Sequence, residues 1–262
     1  MPIQHEKTKL QVPRGRLRFD TFNPSEEPTG EEEMGNCPSF VVTIDSQKAE
    51  LFSAETASSE LIGTAVGQVK RTGKVTCNNM SMATYVRFLA GISETITQSA
   101  APVVGEMRTV MPGKLYQLGQ TVDNPIGVRN VSVVTVKSED GDDTYVAGTD
   151  YNVEPETGTV QIIAGGGIAA GKVQFGYTPV AGTYTRIKTG SKLTLLGALR
   201  VVADNAQGSN NDWYFPRCNL SSSGDLPIVS DEVEFVSVEF DLDVLKPANA
   251  EAIYLAGRPI AL

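Results

Sequence analysis

The stretch Glu232-Val233-Glu234-Phe235-Val236-Ser237-Val238-Glu239-Phe240-Asp241-Leu242-Asp243-Val244-Leu245 places Val238, Phe240, Leu242 and Val244 on one side of an extended chain and Glu239, Asp241 and Asp243 on the other. Successive side chains of a β-strand point to opposite faces, so this period of two reads as a strand with one face in an apolar core and the other in water or against a partner. Upstream, Val233 and Phe235 have the opposite parity to Val236 and Val238. The slip at Phe235 and Val236 predicts a β-bulge.

The same alternation recurs outward from this stretch. Residues 191–204 set Leu193, Leu195, Leu199 and Val201 against Lys192, Thr194 and Arg200, and residues 14–22 set Leu17 and Phe19 against Arg16, Arg18 and Asp20. Residues 23–38 hold Pro24, Pro28, Gly30, Gly35 and five glutamates, the composition of an exposed loop. Strands over 39–45 and 48–53 are expected to form a hairpin around Asp45, Ser46 and Gln47, followed by a loop over 54–67 and a strand over 68–78. One helix is expected over 82–90, with Ser81 as N-cap, Gly91 as the stop and Met82, Tyr85, Val86 and Leu89 as a core-facing stripe. Short strands at 131–136, 151–153, 160–163 and 173–177, separated by turns at 139–143, 154–158 and 165–167, predict a small inserted β domain over 115–180. The expected organisation is an N-terminal arm over 1–13, an all-β domain from 14–114 and 181–262, and that insert.

The composition narrows the function classes. In 262 residues there are 31 Asp and Glu against 22 Lys and Arg, a net charge of -9. A protein that grips DNA or an anionic membrane by counterion release needs clustered cations instead. Acidity still suits a channel through which DNA slides, since like charges prevent sticking. Cys37, Cys77 and Cys218 are too few and too far apart for a disulfide framework or a CxxC motif, and are expected as thiols. No apolar run approaches the roughly 18 residues of a membrane span, and the charged N-terminus lacks a signal-peptide core; folding in a cytoplasm is expected.

Catalytic patterns are missing from the sequence. His5 is the one histidine, which removes His-based triads and multi-His metal sites. The Gly165-Gly166-Gly167 run has no following Lys-Ser/Thr and reads as a turn. Glu139, Asp140, Asp142, Asp143 and Asp150 lack the twelfth-position glutamate of a calcium loop. A non-enzyme with no cofactor is expected.

Several segments carry a resemblance. Gly15-Arg16-Leu17-Arg18-Phe19-Asp20, then Met34-Gly35-Asn36-Cys37-Pro38-Ser39-Phe40, then Gly73-Lys74-Val75-Thr76-Cys77 running into the helix, are similar to the opening of the major tail tube proteins of siphophages, the long-tailed bacteriophages. Trp213-Tyr214-Phe215-Pro216-Arg217-Cys218, the turn Ser223-Gly224-Asp225-Leu226 and a long strand ending Asp243-Val244-Leu245-Lys246 resemble that family's C-terminal part in the same order. The likeness covers residues 14–115 and 181–247. Within the insert, Gly148-Thr149-Asp150-Tyr151-Asn152-Val153, Gly158-Thr159-Val160 and Val173-Gln174-Phe175-Gly176-Tyr177 look like the small Ig-like β modules that decorate phage structural proteins.

The resemblance implies a β-sandwich with one flanking α-helix, assembled into hexameric rings that stack as the tube of a virion tail. It also implies tape measure protein and DNA as lumen passengers, and tail tip and terminator proteins as partners. Under it, Glu239, Asp241 and Asp243 are the lumen-facing candidates, although a solvated outer face would accommodate them equally. Leu61, Ile62 and Val66 are the candidates for contact between rings, the alternative being a loop folded back on its own core. Two other classes fit an acidic β protein: a virion surface adhesin or receptor-binding module, and a carbohydrate-active enzyme with paired carboxylates.

Overall fold

The computed structural model describes residues 10–55, 57–190, 194–231 and 233–259. Residues 1–9 of the expected arm, with His5, lie outside them, as do Lys192 and Leu193 of one expected strand and Glu232. Among the described residues the chain forms sixteen strands and one short helix, with antiparallel pairing in its three larger sheets, so the protein is all-β as its alternation predicts. It divides into two compact units, residues Met1–Ser93 with Ile187–Leu262, and residues Glu94–Arg186.

The first unit is built on one eight-stranded sheet. Its strands are β1 (Gly15–Thr21), β2 (Glu31–Glu33), β3 (Ser39–Phe52), β4 (Leu61–Cys77), β13 (Thr194–Ala203), β14 (Asn211–Ser223), β15 (Val238–Val244) and β16 (Tyr254–Gly257). Their order is β2-β1-β13-β14-β15-β4-β3, with β16 paired to β14. The sheet curls: Phe40 on β3 reaches Phe215 on β14, although β15 and β4 lie between those strands in the sheet, with ring centroids 5.6 Å apart. Opposed arms thus face each other across one core, the layering expected of a sandwich, without closing into a barrel among the described residues. Phe19, Phe215, Phe240, Leu199, Leu220 and Leu242 fill that core and are almost wholly buried. Each such side chain contributes about 1.5–3 kcal/mol relative to exposure.

Helix α1 (Met82–Phe88) starts where expected, with Ser81 Oγ accepting from the Thr84 N–H at 3.2 Å. Its packed face differs from the expected stripe: Thr84 and Arg87 are buried and Phe88 stacks edge-on against Phe240, while Met82 and Leu89 are exposed. The polar residues go inside because each finds partners. Thr84 bonds the Asn79 carbonyl at 2.8 Å, and Arg87 bonds Glu32 at 2.6 Å.

Glu32 lies in a segment expected as an exposed loop. Residues 31–33 pair with β1 as a strand, and their acids meet cations: Glu31 with Arg200, Glu32 with Arg87, Glu33 with Arg16 and Arg18. Asp20 departs from alternation as well. It is buried on β1 and accepts from the Thr29 and Gly30 N–H groups at 2.9 Å, closing the loop that β1 and β2 flank.

The second unit is wider than the expected 115–180. Strand β6 (Val103–Val110) pairs with β11 (Gly171–Pro179), which also holds β8 (Val131–Ser138). A second sheet joins β7 (Leu115–Gln117), β10 (Thr159–Ile162) and β9 (Tyr151–Glu154). The two share a core around Phe175, Ile162, Val160, Val136 and Leu118. Six strands in two sheets make a small sandwich, one strand short of the seven of an immunoglobulin constant domain. Strands β5 (Ile92–Gln98) and β12 (Gly182–Lys188) form the two-stranded ribbon on which the chain enters and leaves this unit.

Candidate functional site

Strand β15 bears out the alternation that opened the sequence reading, but over a shorter span. Val238, Phe240, Leu242 and Val244 are buried; Asp241 and Asp243 are exposed and Glu239 is half-buried. The carboxylates therefore share the face opposite the core. The register extends that face sideways, through Ser221 and Asn219 on β14 and through Thr76, Lys74 and Thr72 on β4. Lys74 lies 2.6 Å from Glu239, and Glu239 is the first cause holding the Lys74 ammonium above its ordinary value. Lys70, Lys74, Asp241 and Asp243 line one shallow depression of this face. Two lysines thus flank three carboxylates, a feature that only strand register reveals.

The expected hairpin around Asp45, Ser46 and Gln47 is not formed. Strand β3 runs through those residues unbroken, because Asp45 pairs with Lys70, Ser46 with Val69 and Gln47 with Gln68. The expected loop over 54–67 is correspondingly shorter, and Leu61 to Val66 stand in strand β4. Pairing of β4 with β15 stops at Thr72–Asp243, so beyond it β3 and β4 continue as a free two-stranded ribbon. The nine residues of β3 from Ile44 onward make it about 30 Å long.

The sequence-predicted contact residues all lie on this ribbon and all are exposed: Leu61 50%, Ile62 63% and Val66 57%. Phe40 and Val42 on β3 pack against the core, and continuing their parity brings Ile44, Ser46, Lys48, Glu50 and Phe52 onto the same side. Their partners there include Arg71, Val66 and Leu61, with Val69 opposite Ser46. The apolar column of the core therefore runs out along the ribbon, where Ile44, Val66, Val69, Phe52 and Leu61 meet solvent. Ile62 sits at a register shift beside them.

The predicted bulge at Phe235 is absent as well, since residues 233–237 form no strand. Residues 224–237 instead join β14 to β15 as an arm: Leu226 packs against the core, and among the described residues beyond it Ile228, Val229, Val233 and Phe235 are 88 to 103% exposed. Sequence reading missed this arm because its alternation is strand-like; the proline at 227 and four acids were the available counter-signals.

Cys37, Cys77 and Cys218 of the first unit are free thiols, and the first two form a pair. Cys77 donates to Cys37, which lowers the Cys37 value with help from the Arg87 charge, and the same bond plus burial pushes Cys77 well up. Burial alone pushes Cys218 up to about 12. Among the described residues no three His, Cys, Asp or Glu side chains gather as a metal site. No helix there is long and apolar enough to cross a membrane.

Fold and surfaces define an all-β protein with an overhanging, apolar-edged ribbon. Over residues 13–252 the sequence matches the family described as Protein of unknown function UCP028589, and the chain belongs to that family. No curated protein matches it.

Proposed function

We propose that this protein is a structural subunit that closes into rings, stacked as the DNA-conducting tube of a siphophage tail. The observation that carries this reading is the β3–β4 ribbon. A lone two-stranded ribbon is marginal in water, and this one exposes apolar side chains and two edges unpaired among the described residues. Both become favourable when copies associate, and a heterologous contact between identical chains gives rings or filaments. The face of Glu239, Asp241 and Asp243 then serves as the lumen wall, hydrophilic and net negative even with Lys70 and Lys74 beside it. The role is structural and needs no catalytic group or cofactor; tape measure protein and DNA are the passengers.

Negative-stain microscopy of the purified full chain tests the reading. Rings or tubes with a central hole are the expected result. Monomers at every concentration would overturn it, and monomers that bind a glycan would favour a virion adhesin.

A further inference from the structure

We infer that the arm of residues 224–237 docks on the stem of the β3–β4 ribbon of a second copy, and that this contact joins successive rings. The inference rests on the tube reading above.

Topology gives the first argument. The arm attaches where Ser223 pairs with Glu239 and Val238 with Cys77; the ribbon begins at the other end of the same strands, beyond Asp243 and Thr72. Arm and ribbon thus leave the sheet at opposite ends. They are placed to meet between copies arranged head to tail, a contact that repeats without closing and so builds a filament.

Chemistry gives the second. The arm carries Asp225, Asp231, Glu232 and Glu234 with no Lys or Arg, among the exposed Ile228, Val229, Val233 and Phe235. The core-side face of the ribbon stem offers Ile44, Val66 and Val69 with Lys48 and Arg71. Lys48 and Arg71 form no ion pair among the described residues, whereas Lys74 on the opposite face has Glu239. An acidic, apolar segment and a basic, apolar surface are complementary in both respects. Farther out, Glu50 on this face and Glu55 and Glu60 at the tip would repel the arm, which places the contact on the stem.

The test is charge exchange in the full chain. One variant carries K48E and R71E on the ribbon; the other carries D231K and E234K on the arm. Each alone sets like charges against each other, and tube yield measured by pelleting should fall about tenfold at matched concentration. Mixed in equal amounts, the two present opposite charges at both kinds of junction, and tubes should return as alternating copolymers. Tubes at wild-type yield from either variant alone would overturn the arm contact while leaving the tube reading standing. So would a mixture that stays unassembled although both variants sediment as folded subunits. A wild-type chain that forms no tubes would overturn both.

Discussion

The Asp150 carboxylate accepts from the Val146 N–H at 2.8 Å and the Gly167 N–H at 2.7 Å, tying the turn before β9 to the glycine run after β10. Those bonds, Val146 first, hold its carboxyl below the ordinary aspartate value. A depressed folded value means that the carboxylate stabilises the fold fully above the unfolded value of about 3.9, and that this is lost as pH falls through the folded one. Asp150→Asn should therefore lower the melting temperature of the second unit near neutral pH, with the gap to wild type narrowing below about pH 4. Calorimetry across that range checks it. Glycine 197 illustrates steric control on β13: a Cβ there would lie 2.2 Å from the Asp20 carbonyl oxygen and 2.6 Å from the Phe19 ring. Gly197→Ala should cost about 1–3 kcal/mol in denaturant titration, as overpacking does. Gly63→Ala on the ribbon, with its nearest neighbour at 4.0 Å, should cost far less.

Among elements, β15 and the strands of the insert were legible because strict alternation, bounded by Gly and Asp turns, leaves one reading. The ribbon was not. Asp45-Ser46-Gln47 has turn composition, and only cross-strand partners such as Lys70 opposite Asp45 keep β3 extended through it. Helix α1 was legible in position but not in orientation, since Arg87 is buried by courtesy of Glu32, a residue 55 positions away. The candidate face was readable on β15 alone; Lys74 and Lys70 joined it through register. At this scale the ribbon makes its own prediction. Deleting residues 58–64 removes its tip, including Leu61 and Ile62, yet leaves the core residues Phe40, Val42 and Val75 untouched. The shortened chain should remain a folded, soluble subunit by circular dichroism and lose tube assembly by sedimentation. Unchanged polymerisation would show that the tip contributes nothing.

For the whole molecule, each unit has its own core, and the chain enters and leaves the second unit on paired strands. Gly91 lies against the Lys188 carbonyl, so the two crossing points are adjacent. Excising residues 94–186 with a short Gly/Ser bridge should leave a first unit that folds and assembles; a folded product unable to form tubes would make the insert part of the wall. Electron cryomicroscopy of the assembled full chain tests whether it forms a tube whose channel is lined by one face of β15. The expected reconstruction has six-membered rings with Asp241 and Asp243 at the channel wall and the β3–β4 ribbon reaching into the adjoining ring. A reconstruction with those carboxylates on the outer surface, or an assembly without a central channel, would contradict it.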